Sequence, residues 1–476
     1  MNIYVAAAAL AGIFVFLRLG ITWKVLAAFI VMSQGFDLLP PIVYGSLVWD
    51  AGAIMLLVAA AQLMFTRPKE PIINSVSVTL LRLFVIWLIF SLIYSLVVYH
   101  YPAMNTLKTA RQMILGYLSV FIFLRLFRVD KNALPVFMKW LYVLTYGLLI
   151  VTIIQYFIGN PLLQGLAIEY AGAIRYLPVF LPISLFYLWV ILSKYFQGAG
   201  IKLHEGLYGA MVLVVVATTY TRGIYIAVLV SFLALLLLLR FRGRLNATSV
   251  TLFVLLMSVG LAVMVAGGWG ERAFGRAASG FNIILDQQDA SSQRDVDTFS
   301  GRLQLVKERI GLVYAQNPVV GFGFLHEGDV PDSLRNSFKN GSVIYTPEMV
   351  KKYRYGHPYV LALYSADIGW ANIVVNTGFV GFFLFILFVA AYLLGFKKLK
   401  NDGSLFPHYR VAFFVQTITL LILMFNGNTF TTNVQIPALM IAGYLYCSAK
   451  RRIEVTQPAQ QDIPQSSEDR DTLKYI

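Results

Sequence analysis

This chain has almost no cysteine, few histidines and little charge. Cys447 is the single cysteine in 476 residues, so a disulfide within the chain and a cysteine-based metal site are both excluded. It lies in the last apolar run, where a small, soft side chain serves packing. Only 13% of residues are charged and five are histidine. No glycine-rich phosphate loop ending in Lys-Ser or Lys-Thr, no helix with paired metal-binding histidines and no serine nucleophile elbow occurs, so chemistry driven by cytoplasmic nucleotide is not indicated. The pair Asp295 and Asp297 has the spacing of a metal-nucleotide motif but has no third ligand near it, so no metal and no cofactor is expected.

What is abundant is apolar residue, 58% of the chain, with 14% aromatic and a mean hydropathy of +0.71. Soluble globular chains are rarely so apolar. A bilayer core of roughly 30 Å needs about 20 apolar residues per helix. Runs of that kind fall near 3–17, 25–41, 46–65, 79–99, 108–127, 137–158, 175–193, 205–220, 223–239, 248–267, 371–395, 409–425 and 430–448. The predicted fold is therefore all-α, a polytopic membrane bundle of about 12–13 transmembrane helices.

The formal charge of +15 would suit a nucleic-acid binder if it were clustered on one polar domain. Instead Lys and Arg sit at the ends of apolar runs, after every odd span: Arg18 and Lys24, Arg67 and Lys69, Arg125 with Arg128 and Lys131, Lys194 and Lys202, Arg240 with Arg242 and Arg244, Lys397 with Lys398 and Lys400, and Lys450 with Arg451 and Arg452. Such an asymmetry marks the cytoplasmic side, and no nucleic-acid partner is expected. No basic residue precedes the first apolar run, which is read as an uncleaved span with its amino terminus outside.

The chain then divides into spans over 1–267, a large external loop over 268–362, further spans over 363–448 and a polar cytoplasmic tail over 449–476. In the loop, Leu303, Val306, Ile310, Val313 and Tyr314 follow helical spacing. Ser300 is a candidate cap and Asn317-Pro318 the stop, which predicts an amphipathic helix on the bilayer or over a cavity.

Charges at the outer ends of spans are costly near lipid and usually have partners or ligands. Arg111, Arg175, Arg222 and Asp367 belong to that level. Arg222, in Thr219-Tyr220-Thr221-Arg222-Gly223, stands in the only break between two strongly apolar runs. Its guanidinium either binds a phosphate bidentately or anchors a helix end by snorkelling. Arg111 and Arg175 carry the same two readings, and three outer arginines together favour an anionic lipid headgroup. Arg302 and Arg309, seven residues apart, share a face of the loop helix, either to bind that anion or as a solvated basic face.

Asp367 precedes the span that carries Gly378 and Gly381. A partly desolvated carboxylate there would have a raised pKa suited to taking a proton from a sugar hydroxyl; alternatively it caps the helix or pairs with an arginine. His357 is the second candidate base, and His326 a third external titratable group. Tyr345, Tyr353, Tyr355, Tyr359, Tyr364 and Trp370 surround these groups and either stack on saccharides or form an interfacial belt.

Three features in order resemble the O-antigen ligase and Wzy-type polysaccharide polymerase superfamily of bacterial envelope glycosyltransferases. These are Thr221-Arg222-Gly223 between two spans, Ser300-Gly301-Arg302 opening a helix that ends Asn317-Pro318 and runs on to Gly321-Phe322-Gly323, and Asn376-Thr377-Gly378 through Gly381. The resemblance spans roughly residues 175–400. It implies a metal-independent, inverting glycosyltransferase in the bacterial inner membrane, with the loop in the periplasm and an undecaprenyl-pyrophosphate-linked oligosaccharide as donor. Arginines resembling Arg222 and Arg302 would hold the pyrophosphate. A chain-length regulator and a flippase of the same pathway are the implied partners, beside membrane lipid. Ligases of this family carry a histidine followed by Asn where this chain has Asp367 followed by Ile368, which favours a polymerase of O-antigen or exopolysaccharide over a ligase acting on lipid A-core. A transporter or flippase would show inverted repeats and mid-membrane ionisable residues, and no clear repeat is present.

Overall fold

The computed structural model describes residues 12–38, 41–68, 73, 75–159, 162–163, 166–170, 173–219, 221–251, 253, 306, 309–311, 313–315, 317–325, 369–395, 406–425, 429–431 and 433–456. The backbone alone is described at 37, 41–48, 166–170, 173–175, 222 and 450–456.

Eleven helices are delimited among these residues: α1 Ile21–Met32, α2 Pro41–Phe65, α3 Val76–Val97, α4 Ala103–Val129, α5 Ala133–Ile158, α6 Leu181–Phe196, α7 Leu203–Thr218, α8 Arg222–Phe241, α9 Gly369–Leu394, α10 Pro407–Leu423 and α11 Gln435–Thr456. Their ends follow local chemistry. The Ser75 hydroxyl accepts from the Val78 amide at 3.3 Å to start α3. Proline opens α6 and α10, where no amide partner is needed. Gly159, at φ 73°, ends α5 in the left-handed conformation.

The chain is an all-α polytopic membrane protein. Among the described residues α3, α4, α5, most of α8 and α9 are long and apolar enough to cross a bilayer, with shorter apolar helices beside them. Helix α9 packs on α3, α11 on α4, and α10 on α6, α8 and α11. Large apolar side chains such as Ile86, Ile93, Ile154, Leu233 and Leu237 remain exposed on the outer faces, where lipid covers them.

Inside, where no water competes, hydrogen bonds link the helices. Trp189 of α6 donates to Gln416 of α10 at 2.9 Å, Tyr392 of α9 meets Thr417 of α10 at 2.9 Å, and Thr419 of α10 donates to Ser231 of α8 at 2.7 Å. Cys447 is buried in the core, as a packing residue.

The sequence reading is corrected in one place. The span read from residue 175 does not open there: β1 Leu166–Tyr170 pairs antiparallel with β2 Ala173–Leu177. Arg175 sits in β2 opposite Ile168, and the following helix starts only at Leu181.

Candidate functional site

One end of the bundle is organised around an interruption in α9. At Gly378 the backbone leaves the helix, with φ 63° and ψ −171°, a region essentially restricted to glycine. A break in a span leaves amides and carbonyls without helical partners, each costing several kcal/mol if unmet, roughly, in an apolar medium. Here the segment after the loop helix supplies them. The Phe322 amide donates to the Val375 carbonyl at 2.8 Å, and the Phe379 amide donates to the Pro318 carbonyl at 2.8 Å. Val375 and Phe379 are four apart, so the bond that would close the helix is exchanged for two bonds to another segment.

That exchange needs backbone against backbone. A Cβ on Gly378 would lie 2.3 Å from the Val319 carbonyl oxygen, and one on Gly321 would lie 2.4 Å from the Val375 oxygen and 2.7 Å from the Gly378 nitrogen. The glycines in the two sequence motifs therefore mark one crossing. Asn317 shapes the turn: its carbonyl accepts from the Gly321 amide at 2.9 Å and its side-chain oxygen from the Val320 amide at 3.2 Å.

Helix α3 clamps the same segment. The Ser95 hydroxyl accepts from the Phe324 amide at 2.9 Å while donating to the Ser91 carbonyl at 2.6 Å. The Trp87 indole donates to the Thr377 carbonyl at 2.8 Å. Between α3 and α4, the Tyr99 hydroxyl donates to the Gly321 carbonyl at 2.7 Å and accepts from the Asn317 amide group. Burial raises the pKa of Tyr99 and of Tyr101, with the Asn317 hydrogen bond acting against the rise at Tyr99. Val313, Phe322, Leu325, Val374 and Val375 close over the junction as a small apolar cluster with Tyr101 against it.

Arg309 is the charged group at this junction. It is 0% exposed, and its Nη1 donates to the Asn372 side-chain oxygen at 3.3 Å. Its burial excludes the solvated basic face that the sequence left open. Val313, four residues on, is buried beside it, whereas Tyr314 is 72% exposed and Ile310 is also exposed. The loop helix thus directs Arg309 and Val313 inward and offers Ile310 and Tyr314 to the surroundings. One turn beyond Asn372 on α9 is Asn376, 7% exposed, whose side-chain oxygen is shielded and has no hydrogen-bond partner among the described residues.

Arg111 is in a different setting. Its guanidinium forms an ion pair with Asp50 of α2 and lies 5.4 Å from the Trp49 ring centroid, so an internal carboxylate already balances its charge. Lys108, one turn earlier, is exposed beside an apolar cavity of 360 Å3 lined by Leu92, Met104, Leu107, Arg111 and Ile114. Arg222 is the first residue of α8, preceded by extended Thr221. The Thr219 and Thr221 hydroxyls donate to the Val216 and Thr219 carbonyls at 2.7 and 3.0 Å, and Thr219 is buried, so neither threonine is free to donate to a phosphate. The Trp370 ring packs on Phe382, Phe385 and Phe425 in the first turn of α9. Asp367, His357, Arg302 and Tyr359 lie outside the described residues, as do His326 and the Asp295 and Asp297 pair.

Sequence reasoning missed the receptor for the loop, Trp87, Ser91, Ser95 and Tyr99 with Asn372, and read Asn376 only as part of the Asn376-Thr377-Gly378 motif. Two signals were present in the chain. Ser91 and Ser95, and Asn372 and Asn376, are polar pairs four apart within apolar runs, which places each pair on one helix face.

A family model described as O-antigen ligase matches residues 207–386, a stretch that contains α8, the loop helix, the Gly321 turn and the break in α9. No curated protein matches the chain. Members of the matched family are membrane enzymes that transfer glycans. Over these residues the chain is similar to the O-antigen ligase family, which supports its resemblance to the superfamily of O-antigen ligases and Wzy-type polysaccharide polymerases.

Proposed function

We propose that this chain polymerises undecaprenyl-pyrophosphate-linked oligosaccharide repeat units into O-antigen or exopolysaccharide at the periplasmic face of the bacterial inner membrane. The observation that carries this reading is the buried Arg309, held on Asn372 where the loop docks into the broken α9. A guanidinium fixed in a dry site stabilises negative charge on a departing pyrophosphate without reorganisation during the reaction.

In the reaction, the acceptor hydroxyl oxygen attacks the anomeric carbon of the donor sugar from the face opposite the pyrophosphate. The new carbon–oxygen bond forms as the bond to pyrophosphate breaks, and undecaprenyl pyrophosphate leaves with the bonding electrons. The hydroxyl proton passes to an external base, Asp367 or His357, and the anomeric configuration inverts. Arg222 and Arg302 share the pyrophosphate charge in this scheme. Arg111 is assigned to the Asp50 pair, and the apolar cavity beside Lys108 suits part of the isoprenoid tail. Asp367 in place of the ligase histidine favours polymerisation over transfer to lipid A-core.

The test is deletion of the gene in its own host, with lipid-linked and surface glycans compared by size and mass. Single repeat units without long polymer support the polymerase. Full-length polymer accumulating on the lipid carrier makes the chain a ligase. Unchanged glycan after Arg222→Ala and Arg302→Ala, at normal protein levels, removes the catalytic reading.

A further inference from the structure

We infer that the cavity between α3 and α4 is the side entrance for the polyprenyl tail of the lipid-linked substrate, and that Lys108 holds the phosphate next to that tail. The inference rests on the glycan-transfer reading above and adds a phosphate-binding residue to it. The cavity has Leu92 of α3 as one wall and a stripe of α4 as the other, from Met104 through Lys108 and Arg111 to Leu115. Those positions share a helix face and run about 16 Å along the axis. Ala110 and Ile114 are buried at the floor, whereas Met104, Leu107 and Lys108 are exposed at the edge. A hydrocarbon chain in the bilayer can therefore enter from the side.

Charge selects the ligand. Two cations line this otherwise apolar space, and Arg111 is balanced by Asp50. Lys108 has no ion pair among the described residues. An ammonium on an apolar span is costly without an anion or water. An apolar groove with one such point charge complements an amphiphile that carries phosphate on a hydrocarbon chain.

Position separates the lipid carrier from bulk phospholipid. Lys108 precedes Arg125 by 17 residues (125 minus 108), so roughly 25 Å of helix lie between it and the basic end of α4. It belongs to the other end, where the connection from α3 to α4 meets the segment that repairs α9. There Tyr99 donates to the Gly321 carbonyl, Tyr101 packs against the cluster over the break, and Arg309 is buried. A lipid whose pyrophosphate reaches that junction has this cavity at hand for its tail. Lys108 then takes the phosphate on the tail side and leaves the sugar-side phosphate to the arginines.

The test titrates purified protein in detergent with undecaprenyl pyrophosphate and with undecaprenol, which has the tail without the phosphates. Bound lipid is read by native mass spectrometry. Lys108→Met should weaken undecaprenyl pyrophosphate by roughly fivefold, the scale of one lysine–phosphate contact near a membrane surface, and leave undecaprenol unchanged. Leu107→Trp, which narrows the entrance, should weaken both lipids, and Lys108→Arg should restore most of the phosphate-dependent part. Both side chains are exposed, so thermal midpoints should match that of the parent. Parent affinity in Lys108→Met would show a lysine that only reaches the surrounding headgroups, and overturns the assignment. Equal competition by phosphatidylglycerol at the same concentration makes the cavity a site for bulk anionic lipid and overturns it too. Turnover of the lipid-linked repeat unit by the parent protein is measured alongside: if it persists in either case, glycan transfer stands, and if it is absent while binding is as expected, only the glycan-transfer reading falls.

Discussion

Two helices lose their regular hydrogen bonding at opposite ends of the bundle, and they are repaired differently. At the carboxyl end of α2, Arg125 of α4 reaches the Leu63, Met64 and Thr66 carbonyls at 2.7, 2.9 and 3.2 Å. At the break in α9, the amides and carbonyls of a distant segment take over. A side chain that caps a helix end can be replaced by water at the membrane surface. A backbone segment inserted into a break has no substitute, and its own turn depends on the helix it repairs. The first repair is local; the second joins residues 317–325 and α9 into one unit.

The largest effect that would break this comparison is Gly378→Ala. The backbone conformation alone costs about 1–3 kcal/mol for a residue with a Cβ, and the added atom meets the Val319 carbonyl. Loss of polymer and a lower thermal midpoint in detergent are expected. Gly321→Ala should do the same, and because both act at one crossing, the double variant should cost less than the sum of the singles. Strict additivity in a double-mutant cycle would mean that the two glycines act separately.

Arg309→Met comes next. Loss of a hydrogen bond to a charged group is worth about 1.5–3 kcal/mol, and the transfer rate should fall much more than stability does. Equal losses in single-turnover rate and in thermal midpoint would reduce Arg309 to a packing residue.

Tyr99→Phe leaves the Gly321 carbonyl and the Asn317 amide group without the phenol. A loss of about 1–3 kcal/mol is expected, seen as faster proteolysis within the large loop. The pH dependence sharpens the same contact. Burial favours the neutral phenol of Tyr99, so its folded pKa lies above the ordinary value of about 10. The contribution is then complete below pH 10, about the unfolded value, and is lost as pH rises through the folded one. Tyrosinate absorbance that reports ionisation of Tyr99 below the ordinary range would contradict the buried contact.

The smallest effect belongs to the repair at the carboxyl end of α2. Arg125→Met should shift the thermal midpoint by only a few degrees, equivalent to about 1 kcal/mol, and leave polymer length unchanged. A loss of polymer comparable to that of Gly378→Ala would erase the distinction between the two repairs.

The spans were legible because lipid imposes a length and a composition that few other demands produce, and the starts and stops of α3, α4, α5 and α8 fall within a few residues of their apolar runs. The strand pair was not, because two five-residue strands leave only a short apolar pattern, and Ala171-Gly172 reads equally as a flexible joint. The glycine motifs were visible while their union was not, since a bond between two backbones leaves no mark in side-chain identity. Burial of Arg309 was equally hidden, because its partner, Asn372, belongs to another run. Asp50 was the readable sign that Arg111 had an internal partner, being the only charge within its own apolar stretch.

The long reach of the junction at the break in α9 bears on biogenesis. Ser95 meets Phe324 across 229 residues of sequence, and Trp87 meets Thr377 across 290. While the ribosome is still making the middle of the chain, the receptor on α3 is already in the membrane with its serine acceptor and indole donor waiting. It can be filled only after α9 has been inserted. The junction at the break in α9 is thus among the last contacts to form during synthesis, and a chain arrested before α9 would carry an open polar seam in the bilayer, a recognisable feature for membrane quality control.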